Sequence, residues 1–125
     1  MAEPLPAKVN LTLYRGDTRV WTDIFTETVA DAVVPKDLTG YTFLSQIRDD
    51  KNRGEIVATI AVEADDPAAG TIVRTLTAEE ADKLPGEEPG QAAPVLYWDL
   101  QSTKDGMVRT WMAGSVKVKG DATDV

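Results

Sequence analysis

Four pairs of adjacent acids, Asp49/Asp50, Asp65/Asp66, Glu79/Glu80 and Glu87/Glu88, and the tripeptide Arg15-Gly16-Asp17 are the residues whose types bear most directly on chemistry. Paired carboxylates hold hard cations, or divide the acid and base roles of glycoside hydrolysis, when their oxygens converge from several positions. None of these pairs has the Asp-x-Asp-x-Asp-Gly spacing of a calcium loop. They read as solvated acids of turns and of one helix, and no metal or cofactor is expected. Arg15-Gly16-Asp17 is the tripeptide that integrins read, yet a glycine between polar residues equally serves a tight bend, and a turn is the expectation. Histidine and cysteine are both absent. That removes thiolate nucleophiles, disulfides, imidazole or thiolate zinc sites and every Ser-His or Cys-His couple. The three serines, Ser45, Ser102 and Ser115, lie in or beside strand-like runs and not on a Gly-rich elbow. No catalytic residue is assigned, and the chain is read as a non-enzyme.

Three tryptophans and one acid remain. Trp21, Trp98 and Trp111 are the largest buriable groups, and tryptophan serves both cores and interface hot spots. The alternation of Val108, Thr110 and Met112 turns Trp111 outward if those three face the core, so Trp111 is the preferred interface residue. Trp21 and Leu5, the latter set between Pro4 and Pro6, are the other candidate interface residues. Asp99 interrupts the apolar run 95–100, where a charge is expensive unless paired. A structural pair of Asp99 with Arg48 or Arg109 from neighbouring strands is the hypothesis, set against a simple exposed strand face.

These residues must be positioned by short strands. Leu96-Tyr97-Trp98-Asp99-Leu100 and Met107-Val108-Arg109-Thr110-Trp111-Met112 flank Asp105-Gly106, the signature of a β-hairpin. Val9, Leu11 and Leu13 alternate with polar residues. Strands are also read in 19–28, in 41–48 with Tyr41, Phe43 and Ile47 on one side, in 56–62, and in 72–76, where Ile72, Arg74 and Leu76 face opposite to Val73 and Thr75. Residues 27–39 read as a long connection, and Pro85 to Pro94 as a loop rich in proline, glycine and acid. Thr77-Ala78-Glu79-Glu80 matches a capping box opening one short helix that runs to Leu84. Gly114 to Gly120 alternates valine with lysine, a pattern that discourages aggregation through strand edges.

The expected fold is therefore all-β: a single Ig-like β-sandwich of about seven antiparallel strands with one short helix. Residues 1–7, carrying Pro4 and Pro6, read as an extended arm and not as a secretory signal, and residues 8–125 as one sandwich domain. At 125 residues a single core suffices, and no apolar run approaches a membrane span. The net charge of −8 is concentrated: residues 1–62 carry −2, 63–100 carry −7 and 101–125 carry +1. Such a field repels phosphate backbones, so neither nucleic acid nor membrane is an expected partner.

The order of motifs adds a resemblance. Arg15-Gly16-Asp17-Thr18, Asp37-Leu38-Thr39-Gly40-Tyr41, Gln46-Ile47-Arg48, Leu76-Thr77-Ala78-Glu79-Glu80, Tyr97-Trp98-Asp99-Leu100-Gln101 and Gly106-Met107-Val108-Arg109-Thr110, followed by Gly114-Ser115-Val116-Lys117-Val118, together resemble small Ig-like β-sandwich proteins of tailed bacteriophages, the tail-tip collar and minor tail family. The likeness runs from about residue 8 to the end. It implies a non-enzymatic virion component, present in many copies as a homo-oligomer and contacting other tail, collar or capsid subunits, with no catalytic residue and no cofactor. Capsid decoration is the alternative expectation. A carbohydrate-binding module or wall hydrolase is the remote one, since a compact sandwich offers little cleft between facing acids.

Overall fold

Short alternating runs become strands wherever a glycine or a side-chain bond closes the turn between them. The computed structural model describes residues 7–49, 54–85 and 95–119. Leu5 and the pair Glu87/Glu88 lie outside the described residues, as does Asp50. In chain order the elements are β1 (Ala7–Lys8), β2 (Leu11–Tyr14), β3 (Arg19–Ile24), β4 (Thr26–Val29), β5 (Ala32–Pro35), β6 (Thr42–Arg48), β7 (Ile56–Asp66), β8 (Thr71–Leu76), α1 (Ala78–Ala81), β9 (Leu96–Lys104) and β10 (Met107–Lys119). The fold is all-β and sandwich-like with one short helix.

The layers are joined by a strand that belongs to both. One layer runs β2-β10-β9-β6-β7, with β1 also on β10, and the other runs β7-β8-β3. Ile56 to Ile60 of β7 pair with β6, while Ala61 to Asp66 pair with β8, so β7 turns the corner between them. Side chains inside are those the alternation selects. Leu11, Leu13, Ile47, Ile60, Ile72, Leu76, Leu96, Leu100, Val116 and Val118 are all buried. Burying each such side chain contributes about 1.5–3 kcal/mol, the main source of stability here.

Strand count and direction depart from the sequence expectation. The run 107–119 is one long strand, because a bulge between Thr110 and Met112 absorbs an extra residue without ending the pairing to β9. The connection expected over 27–39 contains a hairpin, β4-β5, turned by Ala30 and Asp31 at φ 49° and 65°. Both β1 and β2 pair parallel with β10, where antiparallel pairing was expected throughout. Ala7, the last residue of the expected arm, is thus already in the sheet. The helix stops at Ala81, short of Leu84, although Leu84 is buried and its N–H still reaches the Ala81 carbonyl.

Turn chemistry explains the remaining corners. Asp105 and Gly106 sit at φ 54° and 78°, the mirror-image turn that suits the twist of β9 and β10. Arg15-Gly16-Asp17 forms a turn in which the Asp17 N–H donates to the Tyr14 carbonyl at 3.2 Å, with Gly16 at φ 84°. Asp37 accepts from the Thr39 N–H at 2.9 Å and from its hydroxyl at 2.6 Å, fixing the entry to β6.

Candidate interaction surface

Three regions carry side-chain chemistry: a buried cation beneath β3, an aromatic row at the end of β6 and β9, and a projecting ribbon. Arg74 follows Ile72 on the inner row of β8 and is only 3% exposed. Its Nε donates to Asp23 Oδ2 at 2.6 Å and its Nη2 to Oδ1 at 3.4 Å. The guanidinium also lies 4.9 Å from the ring centres of both Trp21 and Trp98. One carboxylate and two indoles therefore replace the water that the charge lost. Arg74 Nη1 is buried without a protein hydrogen-bond partner. Trp98 in turn donates from Nε1 to the Val9 carbonyl at 2.8 Å, tying this cluster to the first strands. Arg19 lies over the same Trp21 ring at 5.5 Å and reaches the Thr12 carbonyl at 3.5 Å. Trp21, read from sequence as an interface candidate, is a half-buried member of this cluster.

The aromatic row is contiguous. Tyr41 stacks on Phe43 at 6.3 Å, Phe43 meets Phe25 edge-on at 6.0 Å, and Phe25 packs on Trp111 at 4.8 Å. Lys36 and Lys104 approach Tyr41, and Arg109 lies 3.8 Å from the Trp111 ring centre. The outward orientation expected of Trp111 is corrected here. The bulge beside it turns both Trp111 and Met112 toward the core, and Trp111 Nε1 donates to the buried Ser102 hydroxyl at 2.7 Å. Period-two reasoning fails at a bulge because one residue is added without a flip.

The expected ion pair of Asp99 is also corrected. Arg109 stands opposite Ser102, on the inner face of the sheet, whereas Asp99 stands opposite Gln46 and Ala113 on the outer one. Arg48 shares that outer face but spends its donors on the Gly54 carbonyl at 3.0 Å and Gln46 Oε1 at 2.8 Å. Asp99 accepts from Gln101 Nε2 at 3.3 Å. Burial raises the Asp99 carboxyl above the usual carboxylate range, and the nearby Arg48 charge only partly offsets this. Helix α1 supplies the opposite case. The Thr77 hydroxyl accepts from the Glu80 N–H at 3.2 Å, as the capping box requires, but the Glu80 carboxylate turns away to accept from the Thr59 N–H at 2.8 Å and to pair with Lys83. Lys83 first, and then the Thr59 amide, hold Glu80 below the ordinary range.

The projecting ribbon is β4-β5. Every residue of β4 is exposed, and Val29 and Val33 are 53% and 70% exposed. Its base is clamped: the Phe25 N–H donates to the Gly70 carbonyl and the Lys36 N–H to the Phe25 carbonyl, both at 2.8 Å. Gly70, at φ 72°, has no room for a Cβ, which would overlap the Phe25 carbonyl. No sequence signal singled out this ribbon, since its turn lacks the Asn-Gly or Asp-Gly pair that marks such loops. Among the described residues no group of three or more acids is placed to hold a metal ion, and no helix is long and apolar enough to cross a membrane. No protein-family model and no curated protein matches the chain.

Proposed function

We propose that this chain is a non-enzymatic structural subunit of a tailed-phage virion, of the tail-tip collar or minor tail type, acting through protein–protein contacts. The observation that carries this reading is the ribbon β4-β5, held firmly at its base by Gly70 while Val29 and Val33 stand in solvent. A two-stranded ribbon is marginal in water by itself, so an anchored one that holds Val29 and Val33 in solvent is suited to contact with a neighbouring subunit. The motifs behind the family resemblance support the same reading. They fall on turns and strand positions that build the scaffold, such as the Gly16 and Gly106 turns and the Thr77 cap. The test is to locate and count the chain in purified virions by quantitative mass spectrometry and labelled electron microscopy. A small fixed copy number at the tail or neck supports the proposal, copies spread over capsid symmetry axes support decoration instead, and absence from the particle overturns both.

A further inference from the structure

We propose that the outer edge of the chain segment 19–29 is a strand-pairing surface for a second copy of the same chain, which it joins antiparallel about a two-fold axis at Ile24. The segment comprises β3, Phe25 and β4, and among the described residues it is paired on one side only: β3 with β8, then β4 with β5. The Phe25 N–H reaches Gly70, next to β8, while its carbonyl accepts from Lys36, next to β5. One edge of the segment is therefore satisfied along its length, and the other meets no strand among the described residues.

Strand geometry identifies which groups are left over. A two-residue turn makes Val29 and Ala32 a hydrogen-bonded pair, and alternation makes Glu27 and Val34 the next. With Phe25 bonded the same way, the odd-numbered residues direct their N–H and C=O inward. Val20, Thr22, Ile24, Thr26 and Thr28 direct theirs outward, and all five side chains are exposed. Free edges in native sheets are ordinarily blunted by lysine, proline or a bulge. This row of β-branched residues has none of the three. The outer edge of β5, by contrast, ends in Pro35, which has no N–H to offer.

Self-complementarity selects the occupant. With the axis at Ile24, the hydrogen-bonded pairs are Val20 with Thr28, Thr22 with Thr26 and Ile24 with its own counterpart. This register overlaps the whole segment, and moving the axis to Thr22 or Thr26 shortens it. It sets no like charges opposite one another. It also places Arg19 of one copy diagonal to Glu27 of the other, twice by symmetry, within reach of long side chains, while Asp23, which lies diagonal to Asp23 and Glu27 of the other copy, already has its charge met by Arg74 of its own chain. Isologous pairing of this kind closes on itself and makes dimers. The inference is independent of the virion reading: it concerns the purified chain in solution.

The test is sedimentation equilibrium on the purified full chain at 10–100 µM, with circular dichroism to verify folding. The expected mass is twice the 13.5 kDa of the chain. Thr22→Pro, which removes one outward N–H and no inward bond, and Ile24→Lys, which sets like charges at the axis, are expected to give folded monomers. Arg19→Glu and Glu27→Lys each weaken the dimer about tenfold, and the double variant restores it. Because the chain has no cysteine, Ile24→Cys reports directly and should form an intermolecular disulfide faster than Val108→Cys on another strand. A monomeric parent chain, a dimer that persists in both Thr22→Pro and Ile24→Lys, or equal cross-linking of the two cysteine variants overturns the proposal.

Discussion

Arg74 brings a full charge into the apolar interior, and its partners decide whether that costs or contributes. Removing one member of such a pair leaves the other uncompensated, so Arg74→Met should destabilise the domain by about 3 kcal/mol in urea unfolding. Arg74→Met combined with Asp23→Leu should recover most of the loss, because the pair is then replaced by apolar contact with Trp21 and Trp98. The row was legible but not its direction: alternation sets Arg74 on one side with Ile72 and Leu76, opposite to Val73 and Thr75, and the fold turns that side inward. Nor was its carboxylate partner legible, since Asp23 lies 51 positions away and only the pairing of β3 with β8 brings it near. Asp99 makes the contrary prediction. Its raised carboxyl means that ionisation opposes folding, so its cost is absent below the unfolded-state value and fully present above the folded one. Asp99→Asn should thus raise the melting temperature at pH 7, with the advantage disappearing on acidification below the ordinary aspartate range. A loss of stability in Asp99→Asn at neutral pH would instead restore the idea of a stabilising ion pair with Arg48.

At the scale of elements, the ribbon β4-β5 depends on two local features. Gly70→Ala places a methyl against the Phe25 and Lys36 backbone at a positive φ, and should cost about 1–3 kcal/mol while releasing the ribbon, seen as accelerated amide exchange over 26–35. The tip points the other way. Ala30 and Asp31 both hold positive φ, where a side chain costs roughly 1–2 kcal/mol per residue relative to glycine. Ala30→Asn with Asp31→Gly should therefore raise thermal stability by several degrees. These two sites also mark the limits of reading the sequence. The β9-β10 hairpin was announced by Asp105-Gly106, whereas β4-β5 was hidden because Ala30-Asp31 has no turn signature. The bulge at Thr110 to Met112 was equally silent, and it reversed the orientation deduced for Trp111.

For the whole molecule, composition and alternation carried the class of fold and most of the core, since a buried strand row repeats every second residue whatever its partner. They did not carry the order of strands. Nothing in 7–14 distinguishes a strand that pairs parallel with β10 from one that pairs antiparallel with a sequence neighbour, because the choice is made by tertiary contacts such as Trp98 to Val9. That parallel arrangement has a mechanical consequence. Ala7 lies level with Met112 and Tyr14 level with Lys119, so the described chain enters at one end of the ladder and leaves at the other. Tension applied through these two ends slides β1 and β2 along β10 and loads their bonds together, where an antiparallel pair would be unzipped one bond at a time. Gly114 presses its backbone against the Val9 carbonyl in the middle of that ladder. A domain wired in this way resists being pulled out lengthwise far better than its modest size suggests, and Gly114→Ala should lower its rupture force in single-molecule stretching.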